Sequence, residues 1–383
     1  MDRVGSVFLE QALPTWRRAV LKVGSSLLAA DGGGLSTRHA LGLAEFIAAS
    51  HRAGREVVLV SSGAVAAGRA TVRGVSAHAP LAAKQALAAI GQTQMVALWQ
   101  RFFDRPVAQV LLTHDDLRNR RRYLNARATL RELLSLGALP VVNENDTVAV
   151  DELKLGDNDN LAAIVAALVD ADLLLIATDI DGLYTANPRT DATAQPLHDV
   201  PAVTPAVLAM AGGAGSLVGT GGMRTKLEAA TKAAAAAIET VLFNGTRSEV
   251  LRALAADRLH GTRLRAAGTR LAARKYWLRH APVAGIVHVA AGAANALAKG
   301  RASLLPTGVI GAEGEFSRGD VVEIVERGEA TRSIARGIAQ YGAAEVRRLA
   351  RRHTREIEDV LGYSYGENIV HRDDLVLLTE VSA

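Results

Sequence analysis

GDNDNLAAIVAALVDADLLLIATDIDGLY, residues 156–184, is the stretch from which the fold can be read. Asn160 to Val169 is rich in Ala, Leu and Val and holds no breaker, which predicts a helix. Asp172 to Ala177 is a short Leu/Ile run of strand length, and Thr178-Asp179-Ile180-Asp181-Gly182 puts polar residues just past its end. Working outward, the same texture recurs. Ala19 to Val23, Glu56 to Val60, Val107 to Leu112, Leu139 to Val142 and Thr240 to Phe243 read as strands. Arg38 to His51, Ala79 to Phe103, Leu124 to Leu136 and Lys226 to Glu239 read as helices. Strand and helix in alternation argue for an α/β layer architecture with a largely parallel sheet. Ligands of such sheets sit at the carboxyl ends of the strands, and that is where the polar residues of this chain collect.

The alternation ends near residue 262. Residues 263–281 are basic and poor in acids, and read as a linker. Beyond Pro282 the runs Gly285 to Ala290, Gly308 to Ile310, Val321 to Val325 and Ser333 to Ile338 are strand-like, with helical Gly292 to Lys299 and Ala343 to Val360 among them. The expected organisation is an arm over 1–16, loosely attached, an α/β domain over 17–262, the linker, and a small β-rich domain over 282–383. A chain of 383 residues is long enough for this. It contains no cysteine, so disulfides, thiolate metal sites and cysteine nucleophiles are excluded. That composition fits a reducing cytoplasm. The charge of +5, from 44 basic and 39 acidic residues, is too small for a chain that coats nucleic acid. The apolar runs are far shorter than the ~20 residues of a membrane span, and Glu10 falls where an export signal needs its apolar core.

Five polar clusters follow strand-like runs. Lys22-Val23-Gly24-Ser25-Ser26 suits a phosphate, since glycine admits close approach and lysine supplies a point charge; it is also an ordinary polar strand end. Ser61-Ser62-Gly63 before Ala64 reads as a helix N-terminus open to anions or as a plain capping turn. Asn143-Glu144-Asn145-Asp146 and Gly156-Asp157-Asn158-Asp159-Asn160 are rich in amides and carboxylates. Such groups can read the ammonium and carboxylate of an amino acid; they also make Asn/Asp turns. A calcium loop is a poor reading, because the sixth position on from Asp157 is not Gly and the twelfth is Leu168. Gly219-Thr220-Gly221-Gly222-Met223-Arg224-Thr225-Lys226 opens an Ala-rich helix as a phosphate-binding loop can, and reads equally as a loose Gly-rich loop. The basic run Arg118 to Arg122 reads as a solvated loop.

Taken together, KVGSS at 22–26, VSSGAVAAG at 60–68, NEND at 143–146, GDNDNL at 156–161, TDIDGLY at 178–184 and GTGGMRTKLEAA at 219–230 resemble the amino acid kinase family, and within it the glutamate 5-kinases. SLLPTGV at 303–309, FSRGDVV at 316–322, VLGY at 360–363 and HRDD at 371–374 resemble a PUA domain. The resemblance covers nearly everything after residue 16. It implies a three-layer αβα sandwich followed by the small PUA domain. It also implies ATP-dependent phosphorylation of the L-glutamate γ-carboxylate, the first step of proline biosynthesis, with feedback inhibition by proline. By motif, Ser62, Asp146 and Asn158 are expected to bind glutamate. Lys22, Thr178, Asp179, Thr220, Gly221, Gly222, Met223, Arg224, Thr225 and Lys226 are expected to bind ATP. Lys22, Asp159 and Lys226 are expected to serve catalysis. Magnesium would ride on the ATP phosphates with few protein ligands. A mobile lid over 211–222 and a homo-oligomer, dimer or tetramer, are further expectations. Two positions depart from the family pattern: Leu155, where an aromatic is usual, and Arg224, where a small residue is usual.

Besides an inactive regulatory subunit, against which Lys22, Lys226 and Asp159 argue, two competing readings follow from the same residues. One is a related kinase with another acceptor, against which Asp146 argues by wanting a free ammonium. The other is RNA binding through Arg263 to Arg279 and the arginines at 347, 348, 351 and 352. Against it stand the acids Glu356, Glu358 and Asp359, which follow at once.

Overall fold

Short Val/Leu/Ile runs form strands when both faces can be covered, and parallel strands then read as unbroken apolar runs. The first part of the chain follows this rule. The computed structural model describes residues 8–30, 34–72, 75, 80–149, 158–211, 222–266, 268, 278–279, 281–299, 302–327 and 332–378. Two units divide the chain: Met1–Leu117 with Ala126–Gly268, and Arg118–Asn125 with Thr269–Ala383.

The first unit is built on β1 (Arg18–Val23), β2 (Glu56–Ser61), β3 (Val107–Leu112), β4 (Leu139–Glu144), β5 (Leu173–Thr178), β6 (Asp199–Val200), β7 (Glu239–Asn244) and β8 (Gly261–Leu264). They lie in the order β3-β4-β2-β1-β5-β7-β8-β6. The first six run parallel, β8 is antiparallel to β7, and β6 is parallel to β8. Central strands such as β5 are buried at every residue, whereas the edge strand β3 is mostly half-buried.

Helices cover both faces. α1 (Ala40–Arg52), α2 (Ala64–Thr71), α3 (Leu81–Gln100), α4 (Arg120–Ser135), α5 (Asn158–Leu168), α6 (Met223–Ala235) and α7 (Ser248–Ala255) alternate with the strands. Ala19, Leu21 and Val23 of β1 pack with Leu43, Ile47, Trp99 and Leu254 in one core, so α1, α3 and α7 share that face. α5 lies against β1, β2, β4 and β5 and packs on α6. This is the expected three-layer arrangement on a mostly parallel sheet. Because side chains alternate along a strand, Lys22 points away from the face that holds Leu21 and Val23, toward α5 and α6.

Two glycines shape the ground under the strand ends. Gly63, at φ +113°, turns the chain from β2 into α2. Gly91 lets α3 cross α2 closely: a Cβ there would sit 1.8 Å from the Ala64 carbonyl oxygen. Gln92, the next residue, is thereby held next to the strand ends.

The structure corrects several expectations. The N-terminal segment is not a loose arm from residue 8 onward. Gln11 and Ala12 pair with Leu259 and Arg258, Leu13 and Trp16 enter the main core, and the Arg55 guanidinium lies over the Trp16 ring. The sheet runs on past residue 262, because Arg263 and Leu264 complete β8. The run Arg118 to Arg122 is not a loop: it spans the junction between the short helix His114–Arg118 and α4.

The second unit holds a five-stranded sheet. Its strands are β9 (Gly285–Val289), β10 (Val309–Gly314), β11 (Val321–Glu326), β12 (Arg332–Ile338) and β13 (Leu375–Leu377), in the order β10-β9-β11-β12-β13. Its core joins Val287, Ile324, Ile334 and Tyr341 to α8 (Ala291–Ala298) and α9 (Ala343–Leu349). The single helix expected over 343–360 is broken. Arg351 takes φ +63°, and its N–H donates to the carbonyls of Pro306 and Val309 instead of continuing the helix.

Candidate active site

Four parallel strands end side by side, and each delivers a polar residue. β1 delivers Lys22, β2 runs into Ser62, β4 carries Asn143, and β5 ends at Thr178. The Ser62 N–H donates to the Val23 carbonyl at 3.1 Å, which ties the first two strand ends together. Trp99 Nε1–H donates to Ser61 Oγ at 2.9 Å and anchors α3 to the same edge.

A charged centre occupies the middle. Asp159, in the first turn of α5, is almost wholly buried. Its Oδ1 lies 2.7 Å from Lys22 Nζ and its Oδ2 3.1 Å from Lys226 Nζ. Thr225 Oγ1 also donates to Oδ2 at 2.8 Å. Burial pushes the Asp159 carboxyl up, but the two ammonium groups and the hydrogen bonds from Lys22 and Thr225 outweigh it and hold the group well below the usual carboxylate range. Two lysines from separate elements are thus fixed around one carboxylate at the strand ends. Such preorganised cations compensate the charge of a transferring phosphoryl group.

Beside this centre runs a chain of neutral amides. Asn158 Nδ2 donates to Ser62 Oγ at 2.7 Å and to Asn143 Oδ1 at 2.9 Å. Asn143 Nδ2 in turn donates to Gln92 Oε1 at 2.9 Å. Asn158 Oδ1 and Gln92 Nε2 are buried with no protein partner. Nearby in sequence, Asp146 is half-buried; desolvation and then the Glu144 carboxylate push its pKa up to about 7. An acceptor oxygen with no partner and a carboxylate short of positive charge are what an ammonium would satisfy.

The residues of this edge match a known family. The amino acid kinase family model matches residues 17–244, and a PUA domain model matches residues 285–361. The chain belongs to the amino acid kinase family. Within it, the chain is 75% identical over 362 residues to the glutamate 5-kinase of Xanthomonas oryzae pv. oryzae (strain KACC10331 / KXO85), covering 94% of this chain and 100% of that protein. It is 68% identical over 377 residues to the glutamate 5-kinase of Xylella fastidiosa (strain M23), covering 97% and 98%. Among solved structures, carbamate kinase from Giardia lamblia bound to AMP-PNP aligns at a TM-score of 0.47 with 19% identity, covering 65% of this chain and 98% of that one.

This amino acid kinase therefore has the expected Lys22, Asp159 and Lys226 in direct contact, and the expected Ser62 and Asn158 hydrogen-bonded to each other. Thr178 stands at the end of β5 with its carbonyl accepting from the Gly245 N–H at 2.8 Å. Asp179 is more exposed and lies 3.7 Å from Arg189. Gly222, Met223, Arg224 and Thr225 lead into Lys226 at the start of α6. Arg224 is exposed and donates to Glu228 at 3.1 Å, so its charge is met on its own helix. Thr220, Gly221, Leu155 and nearly all of the expected lid fall outside the described residues. Two residues at this edge escaped the sequence reading. Asn244 at the end of β7 donates to Asp181 at 2.9 Å and accepts from the N–H and hydroxyl of Thr246, bracing the rim beside Thr178. Gln92 ends the amide chain. Among the described residues no helix is long and apolar enough to cross a membrane.

Proposed function

We propose that the chain transfers the γ-phosphoryl group of ATP to the γ-carboxylate of L-glutamate, releasing ADP and L-glutamyl 5-phosphate, the first step of proline biosynthesis. The observation that carries this reading is the buried pair of lysines on the two oxygens of Asp159, with an amide chain suited to an amino acid at its side.

The attacking group is a carboxylate with an ordinary pKa of ~4.3, already ionised at neutral pH, so no general base is required. The barrier is electrostatic, because one anion must approach another. Lys22 and Lys226 approach the phosphoryl group from the strand side and the α6 side. Asp159 keeps the two ammonium groups from drifting apart under their own repulsion, and Thr225 holds Asp159. Attack forms the bond from the carboxylate oxygen to the γ-phosphorus and breaks the bond to the β–γ bridging oxygen, which leaves on ADP. Magnesium belongs to the nucleotide in this reading. It would be held mainly by phosphate oxygens and water, with few protein ligands. Thr178, Asp179 and residues 220–226 serve the nucleotide, while Ser62, Asn158 and Asp146 serve glutamate. Proline, which also carries an ammonium and a carboxylate, competes for that same site as a feedback inhibitor.

The test uses the purified chain with ATP, magnesium and hydroxylamine, which traps an acyl phosphate as a coloured hydroxamate. Glutamate, acetylglutamate and aspartate are compared, each with and without proline. Signal with glutamate, suppressed by proline, is the expected result. Signal only with another acceptor overturns the amino-acid assignment and leaves the lysine mechanism standing.

A further inference from the structure

Gln92 lies on α3 and is buried. Its side chain ends a hydrogen-bond chain that reaches Ser62 through Asn143 and Asn158. Each primary amide has an oxygen on one side and an NH2 on the other, so neighbours in such a chain are coupled. Turning one alone sets oxygen against oxygen or NH2 against NH2. The chain therefore has only two self-consistent directions.

In the direction found here, both hydrogens of Asn158 Nδ2 are committed, one to Ser62 and one to Asn143. Ser62 is then the acceptor, which leaves its own hydrogen free to donate to a carboxylate. Asn158 Oδ1 is left without a protein partner, as an acceptor for an N–H donor. In the reverse direction, Asn158 would turn its NH2 to that position and Ser62 would spend its hydrogen on Asn158. The first direction suits an ammonium at Asn158 and a carboxylate at Ser62; the second repels both.

We propose that Gln92 is a positioning residue for acceptor specificity: its Oε1, by taking the Asn143 NH2, holds the chain in the direction that presents the Asn158 carbonyl to a substrate ammonium. The inference rests on the glutamate reading above. Its physical basis is the cost of a mispaired buried amide, ~1–3 kcal/mol. Without Oε1 the buried NH2 of Asn143 has no acceptor in the present direction, whereas reversal turns that NH2 to Asn158 and leaves the Asn143 carbonyl unpaired instead, the less costly of the two orphaned groups.

The experiment compares wild type with Gln92→Met, which keeps the length and removes the acceptor, and with Gln92→Glu, whose carboxyl group keeps an acceptor oxygen at the same reach. For each, KM is measured for glutamate and for ATP, and kcat/KM for glutamate is divided by kcat/KM for acetylglutamate. That ratio is independent of the fraction of protein folded. Gln92→Met is expected to raise the glutamate KM about tenfold, which matches the loss of one such hydrogen bond. The ATP KM should move far less, and the glutamate preference should shrink. Gln92→Glu is expected to restore both the KM and the preference. A ratio that does not move in Gln92→Met, or a glutamate KM and an ATP KM that rise together, overturns the proposal while leaving the glutamate reading intact. A wild type that turns over only other acceptors overturns that reading, and this proposal with it.

Discussion

Asn158 and Asp159 are neighbours in sequence and both are buried, yet their surroundings are finished to different degrees. Each oxygen of Asp159 lies within 3.1 Å of an ammonium group. Asn158 has its NH2 fully engaged and its oxygen without a protein partner. The contrast follows from what each group costs to bury. An uncompensated buried charge is too unfavourable to persist, so a charged centre must be paired before any substrate arrives. A neutral carbonyl can be left unpaired for ~1–3 kcal/mol, and it is then an acceptor that a ligand's N–H can satisfy. In the proposed reaction the charged region is preorganised for transfer and the amide region selects the acceptor.

The sharpest way to break this comparison is to neutralise the charged side. Asp159→Asn leaves two buried lysines facing one amide. It is expected to cost ~3–5 kcal/mol of stability, the range for a broken buried pair, and to lower kcat by roughly a thousandfold. Urea denaturation and the hydroxamate assay read these two effects separately. Full stability in the variant would show that the lysines do not depend on Asp159. Lys22→Ala and Lys226→Ala come next. Each removes one cation while Asp159 keeps the other, so kcat should fall ~100-fold or more with a smaller loss of stability. Near-normal turnover in either removes that lysine from the mechanism. On the amide side the effects are smaller. Ser62→Ala should raise the glutamate KM ~10-fold, since one hydrogen bond is lost, and leave the ATP KM near its starting value. Equal changes in both would place Ser62 in the fold and not at the acceptor.

How far the sequence could be read follows the same division. β1, β2 and β5 were legible because parallel strands buried on both faces need unbroken apolar runs. β6 and β8 were not: one is two residues long, and the other mixes Thr262 and Arg263 with apolar residues. Lys22, Asp159 and Lys226 stood out as charges set against apolar stretches, in an order shared with a known family. Gln92 could not stand out, since a glutamine in an Ala-rich helix is ordinary; only the close crossing at Gly91 and the approach of Asn143 give it a role. Trp16 and Leu13 are similar cases. Their burial depends on Phe46, Arg55 and the 258–259 strand, which are remote in sequence. The break at Arg351 depends on carbonyls at 306 and 309 that no local pattern reveals.

The finest test of the comparison is a pH dependence. In the free protein, burial and Glu144 raise the Asp146 pKa to about 7, against an unfolded value of ~3.9. A raised carboxyl favours folding while protonated, so its contribution is fully present below the unfolded pKa and is lost as pH rises through about 7. A substrate ammonium demands the opposite, ionised form. If Asp146 takes the ammonium, as proposed, glutamate must displace a proton from it in order to bind below about 7. The glutamate KM should fall ~10-fold between pH 6 and pH 8, because one unit below its pKa only about a tenth of a carboxyl is ionised. Proline inhibition should strengthen over the same interval. Asp146→Asn should flatten both profiles, weaken both ligands at pH 8, and leave the free protein more resistant to heat than wild type at that pH. A glutamate KM that stays level across the interval in wild type would mean that the ammonium is met by the Asn158 carbonyl and not by Asp146, and would move the whole burden of acceptor recognition onto the amide chain.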